Sequence, residues 1–236
     1  MGNVGFSIAH RSMGISPQWR LSFAGKGCGK PYLNDLRAIH DSMMAKAAAL
    51  DFTKAFFKGD VSTDPKSFDG LQKRLTGPQV IDADLDVAIV GDLAGAVNRL
   101  MDQVAGTPDM LFMNKATRRA LNASMRAQGQ AIETIADVVG RQIPAYVGIP
   151  IGVIEEDASE QPILGFDEAN DTTSIYAVRF GVKEWVSGLQ AGSMEVIDNG
   201  LVDIWYKTLV EWICSFTIFH PKAAARLKNV PEYQGV

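Results

Sequence analysis

Four groups of residues have types that chemistry uses. Gly25, Lys26, Gly27, Cys28, Gly29 and Lys30 have the composition of a phosphate-cradling loop. A Walker loop puts four residues between its glycines and follows its lysine with Ser or Thr. Here the spacing differs and Pro31 stands where the hydroxyl belongs, so the stretch reads as a loop tip. Asp82, Asp84 and Asp86 begin like a calcium loop, but Val87 replaces the turn glycine and Leu93 the bidentate glutamate. Glu155, Glu156, Asp157 and Glu160 are the densest carboxylates. Carboxylates that hydrolyse glycosides face each other across a cleft, whereas these share one loop, and a solvated loop is expected. Cys28 or Cys214 with His40 or His220 supply nucleophile and base, but no G-x-S-x-G elbow or cysteine signature accompanies them. Cys214, close to Ile213 and Phe216, reads as a buried structural thiol. Three His and two Cys so widely spaced give no zinc pattern. No catalytic, cofactor-binding or metal-ligating residue is therefore expected, and the protein reads as a non-enzyme without cofactors.

The elements that position these residues come from composition and periodicity. The 236 residues are 47% hydrophobic and 21% charged, with mean hydropathy +0.01, which suits a folded protein of one large or two small domains. A net charge of −4 without a Lys/Arg block argues against a dedicated nucleic-acid reader. No signal-peptide pattern opens the sequence and Glu211 interrupts its most apolar late stretch, so a soluble protein without a membrane segment is expected. Two cysteines suit free thiols in a reducing compartment.

Residues 34–58 carry the strongest helical signal. Asn34 or Asp35 can cap its start and Gly59 follows its end; Leu36, Ile39, Met43, Ala47, Leu50 and Lys54 recur at steps of three and four. Such a helix is about 36 Å long, enough to span a domain. Phe52, Phe56 and Phe57 add a second apolar patch. A helix over 93–104, a strand over 110–113 and a helix from the Asn114 cap to Gln128 follow, the last with a solvated face of Lys115, Arg118, Arg119 and Arg126. From Ala145 the pattern has period two, predicting one strand through Val153, then strands over 174–180, 186–189, 194–197 and 204–219. Trp185, Trp205 and Trp212 belong to this half as packing residues. Helices first and strands later predict an α+β fold.

Three stretches carry a family resemblance. "FFKGDVSTDPKSFDGLQKRL", with Gly59, Asp60, Pro65, Phe68, Gly70 and Leu71, is similar to the end of a capsid spine helix and the turn after it. "PDMLFMNKATRRALNASMRAQG" resembles a strand–Asn–helix segment, and "ILGFDEANDTTSIYAVRFG", "GLQAG" and "HPKAAARLKNV" resemble late strands and a terminal segment. Together they resemble the major capsid protein of tailed bacteriophages, the Hong Kong 97 fold.

The resemblance implies an N-terminal arm remnant and extended E-loop hairpin over 1–33. It implies a peripheral domain over 34–110 containing the spine helix, an axial domain over 111–165, peripheral strands over 166–203, and a returning strand with a C-terminal axial segment over 204–236. It implies a structural subunit that assembles into pentamers and hexamers of an icosahedral virion shell. That shell encloses double-stranded DNA without reading its sequence, in a bacterial host's cytoplasm, beside portal, scaffold or decoration proteins. Trp19, Arg20 and Phe23 in the loop and Arg37 on the outer helix face are the expected inter-subunit contacts. An encapsulin-type protein compartment has the same fold and is the alternative. A soluble hydrolase using the 155–160 loop is a third reading.

Overall fold

A computed structural model describes residues 7–8, 31–83, 92–130, 133–136, 140, 142–157, 159–202 and 205–233. Four α-helices, α1 (Pro31–Lys58), α2 (Leu71–Arg74), α3 (Asp92–Asp102) and α4 (Lys115–Ala127), and a 3-10 turn at Gly77–Gln79 precede or interleave with eleven strands among the described residues. The strands are β1 (Ser7–Ile8), β2 (Val80–Asp82), β3 (Met110–Asn114), β4 (Glu133–Ala136), β5 (Gln142–Tyr146), β6 (Ile149–Ile154), β7 (Thr172–Val178), β8 (Val186–Gln190), β9 (Glu195–Val202), β10 (Trp205–Ile218) and β11 (Ala224–Pro231). The class is α+β.

Seven strands form a mixed sheet in the order β2-β11-β7-β3-β6-β5-β4, with β2/β11 and β3/β6 parallel. Alternation along its strands feeds two cores. Leu111, Met113, Ile149, Ile151, Ile175, Ala177 and Leu227 point to one side, where Leu93, Val97, Leu100 and Leu121 of α3 and α4 cover them. Tyr176 and Val178 point to the other, against Phe57, Phe68, Leu71 and Phe216. All seven residues of β7 are buried, as expected of a strand covered on both faces. Asn114 ends β3 and caps α4: its Oδ1 accepts the Thr117 N–H at 2.7 Å, while its Nδ2 donates to Leu164 O at 2.9 Å.

α1 begins at Pro31, earlier than the Asn34 or Asp35 cap expected from sequence, and its 28 residues extend about 42 Å. Proline at the first helical position loses no hydrogen bond, which moves the start upstream. The expected apolar stripe is not what buries this helix. Ile39 and Met43 are 54% and 58% exposed. The second patch does the packing instead: Phe57 is fully buried, with ring centroids 5.4 Å from Phe112 and 5.2 Å from Tyr176.

After α1 the backbone reverses through a close crossing. Gly70 N–H donates to Gly59 O at 2.8 Å, and a Cβ on Gly59 would stand 2.2 Å from Phe68 O and 2.4 Å from Ala55 O. Asp60 Oδ1 accepts the Ser62 N–H at 2.8 Å and the Lys73 ammonium, and Asp69 Oδ1 accepts the Val61 N–H at 3.1 Å. The Lys73 and Ser62 donors hold the Asp60 carboxyl at about 2. Phe68 and Leu71 are thereby inserted into the core. Gly59→Ala is expected to cost about 3 kcal/mol, since backbone carbonyls must give way. Urea unfolding against wild type measures this, and an unchanged midpoint would show that the crossing relaxes freely.

The stretch expected to be one strand from Ala145 to Val153 is a hairpin. Val147 and Gly148 have φ of 50° and 75° and connect β5 to β6 as a two-residue turn. Positive φ at both centres is the type I′ signature, whose usual first residue is Asn, Asp or Gly. A β-branched valine there hid the turn from sequence. The strands expected over 174–180, 186–189, 194–197 and 204–219 are β7 to β10 with shifted ends.

Candidate assembly surfaces

β8 and β9 lie end to end along one edge of β10. Val186–Gln190 pair with residues 218 down to 214, and Glu195–Val202 with residues 211 down to 205. Ala191 N–H donates to Ile213 O at 3.0 Å across the break, and β1 meets the opposite edge at Trp212 and Ile213. The 14 residues of β10 make this ribbon about 46 Å long.

One face of the ribbon rests on the end of α1. Trp212 packs 5.2 Å from Phe52, and Phe216 packs 4.6 Å from Phe56 and 5.5 Å from Phe68, centroid to centroid. The Arg74 guanidinium lies 4.5 Å over Phe216, and its Nη1 donates to Phe216 O at 3.0 Å. The other face carries Ile213 and, by register, Leu189 and Ile197, which are 38%, 50% and 40% exposed. Val196 is exposed as well, so both faces of β9 meet solvent. A two-stranded hairpin without a covered face is marginal in water, and an open strand edge invites pairing.

Two further apolar surfaces stand out. Ile39 and Met43 mark the first half of α1. Phe180, Val182 and Phe219 surround the turn before β8, with Val182 80% exposed. Trp185 anchors that turn, stacked 3.9 Å under the Arg179 guanidinium and 5.0 Å from the His220 ring.

Among the described residues, no three of the His, Cys, Asp and Glu side chains singled out for chemistry come together. The acidic loop is not simply solvated: Asp157 is buried, its Oδ2 accepts Lys54 Nζ at 2.7 Å, and its Oδ1 accepts the Ser159 and Gln161 N–H groups at 2.8 and 3.0 Å. Glu155 pairs with Lys115 at 3.0 Å. The loop is therefore strapped to α1 and α4, a pairing across about a hundred residues that local sequence does not display.

Lys54 and those two N–H donors hold the Asp157 carboxyl at about 2, below the ordinary 3.8. A depressed carboxyl stabilises the fold above the ordinary value and loses that contribution as pH falls through the folded value. Asp157→Asn is expected to lower the melting temperature at neutral pH, with the gap to wild type closing between pH 3.8 and about 2. Thermal melts across that range check it, and a gap that ignores pH would remove the charge from the explanation.

Burial pushes the Cys214 thiol up to about 11, the state of an unreactive structural cysteine. Asp82 is bound to Lys228 at 3.0 Å and Asn229 at 2.7 Å; Asp84 and Asp86 lie outside the described residues. No group of three metal-ligating side chains occurs among the described residues, and no described helix is long and apolar enough to cross a membrane. Trp19, Arg20 and Phe23, like the 25–30 loop with Cys28, lie outside the described residues; Arg37 is on the second turn of α1. The exposed residues of the ribbon were missed as contacts because their strands read as ordinary core strands. The signal available was apolar residues at adjacent positions, Val196 and Ile197, which no single covered face can bury.

No protein-family model matches the sequence, and no curated protein matches it either. Solved structures do match. The SrpI encapsulin complex of Synechococcus elongatus PCC 7942 superposes with TM-score 0.69 at 15% identity, over 99% of this chain and 76% of that one. The capsid of Myoviridae phage XM1 gives TM-score 0.57 at 13% identity, over 96% and 74%. The capsid of an empty GTA particle gives 0.53 at 14%, over 96% and 72%. The protein has the Hong Kong 97-like fold shared by these shell proteins.

Proposed function

We propose that this protein is a subunit of a closed shell, built from rings of five and six copies. The observation that carries the reading is fold similarity to shell proteins along 96–99% of the sequence. The exposed ribbon, α1 face and turn patch support it, because a shell supplies neighbours for surfaces that a free subunit leaves wet. In this reading α1 is the spine of a peripheral domain over 34–110 and 166–203. The 111–165 segment and the residues after 204 build the axial part. Residues 1–33 contribute the arm and E-loop, with Trp19, Arg20, Phe23 and Arg37 at subunit contacts. Heterologous contacts that close by rotation generate such rings.

The content we assign first is phage double-stranded DNA, following the sequence resemblance, with portal, scaffold or decoration proteins as further partners in a virion assembled in a bacterial host. Protein cargo is the second reading, favoured by the higher TM-score to the encapsulin, 0.69 against 0.57. Negative-stain microscopy and sedimentation velocity of purified protein are expected to reveal rings or closed particles. Ile197→Asp combined with Leu189→Asp is expected to abolish them while leaving the circular dichroism spectrum unchanged, since a charge in an apolar contact must be desolvated. A protein that stays monomeric at all concentrations would overturn the reading. Nuclease-protected DNA in particles recovered from the native host separates the two contents.

A further inference from the structure

The ribbon contains an asparagine–glycine pair. Asn199 is followed by Gly200, and no other asparagine in the sequence precedes a glycine. The pair sits at a defect in the β9–β10 ladder. Asp198 pairs with Thr208 and Leu201 with Tyr206, so β9 holds one more residue than β10 between these points. Gly200 takes φ of 65° there, the left-handed glycine of a bulge. Asn199 is exposed. The Gly200 N–H does not enter the ladder; it donates to Asp198 Oδ1 at 2.8 Å.

We propose that Asn199 deamidates spontaneously, with Asp198 positioning and accepting the proton that must leave. The Gly200 nitrogen attacks Cγ of Asn199 as its proton passes to Asp198 Oδ1. The new bond from that nitrogen to Cγ closes the ring of a tetrahedral intermediate; Asp198 then returns the proton to Nδ2, and the bond from Cγ to Nδ2 breaks to release ammonia and leave a succinimide. Water then opens either ring carbonyl, giving aspartate or isoaspartate. The net change is one water consumed, one ammonia released and one negative charge gained, without oxidant or cofactor. Three features converge on it. Glycine puts no Cβ beside the attacking nitrogen, the bulge frees that nitrogen from strand pairing, and the carboxylate already holds its hydrogen. The isoaspartate product lengthens the backbone of β9 by one carbon at its bulge. Either product adds charge next to Asp198, on a strand of 8 residues with exposed side chains on both faces.

The test is peptide mapping by mass spectrometry of the purified full-length protein, incubated at mildly alkaline pH and 37 °C with time points over days. Isoaspartyl methyltransferase serves as a second readout. Asn199 is expected to gain a single mass unit and become methyl-acceptor while the remaining asparagines stay intact, and Asn199→Gln is expected to stop both signals. Asp198→Ala, which keeps the Asn-Gly pair, is expected to slow conversion several-fold in the folded protein but not in urea. An intact Asn199 in the folded protein, when a synthetic peptide of residues 195–202 converts under the same conditions, overturns the proposal. An unchanged rate in Asp198→Ala overturns the role of Asp198. The reaction needs no assembly, so its outcome is independent of whether shells form.

Discussion

Phe57→Ala is expected to lose about 4 kcal/mol of stability, among the largest effects of any single truncation in the protein. Phe57 is 1% exposed and sits where three elements meet: the last turn of α1, Phe112 on β3 and Tyr176 on β7. Phe56 lies edge-on to it at 5.1 Å and passes the contact to Phe216 on the ribbon. Removing the ring takes away its transfer free energy and leaves a cavity whose walls are other rings, which cannot collapse without losing their own packing. Among the described side chains of α1, Phe57 alone is fully buried, so the helix is held chiefly at this end. Urea unfolding followed by tryptophan fluorescence measures the loss, with Phe57→Leu as the milder control. A loss below about 1 kcal/mol would mean that the aromatic cluster does not hold the helix to the sheet.

Arg226→Leu is expected to cost about 3–5 kcal/mol for a different reason. Arg226 on β11 and Glu168 in the loop before β7 are only 11% and 10% exposed, with Nη2 and Oε2 2.8 Å apart. Ser174 Oγ donates to the carboxylate at 2.8 Å and accepts from Arg226 Nε at 2.9 Å, closing a small network. Removing the guanidinium alone strands a carboxylate that water scarcely reaches. Replacing both ends, Arg226→Leu with Glu168→Leu, removes the charge with its partner and is expected to recover most of the loss, because a buried pair is weak support relative to an apolar one. The double-mutant cycle decides between the views. If the double variant is as unstable as the arginine variant, the cost lies in packing and not in the stranded charge.

What could be read from sequence was local. The Asn114 cap was legible because its chemistry lies within three residues of itself, and the helix over 93–104 because one face of it, with Leu93, Val97 and Leu100, is covered by the sheet. The stripe of α1 had equally good spacing, yet its Ile39 and Met43 are exposed, since periodicity reports which residues share a face and not what covers that face. The Val147–Gly148 turn escaped because valine is a poor residue for positive φ, so alternation ran on unbroken. The strand β11 escaped because "AAARLKN" has no alternation and leans helical; its place between β7 and β2 overrides that preference. The contacts that strap the acidic loop and join Arg226 to Glu168 are long-range and leave no trace in either neighbourhood. The candidate contacts in the first thirty residues lie outside the described residues, whereas the exposed ribbon left a single sequence signal, the adjacent apolar pair Val196 and Ile197.

The position of β11 also governs when the protein can become itself during synthesis. It is inserted between β2, near residue 80, and β7, and neither has that partner until the ribosome has released residue 231. Everything made earlier, including the aromatic end of α1 and the fully buried β7, must wait with one side of the main sheet unoccupied. Such late, long-range closure is slow and keeps sticky strand edges available to neighbours on the same polysome. Chaperone demand should therefore rise with expression rate, and a circular permutant that moves β11 ahead of β2 should mature sooner after translation stops.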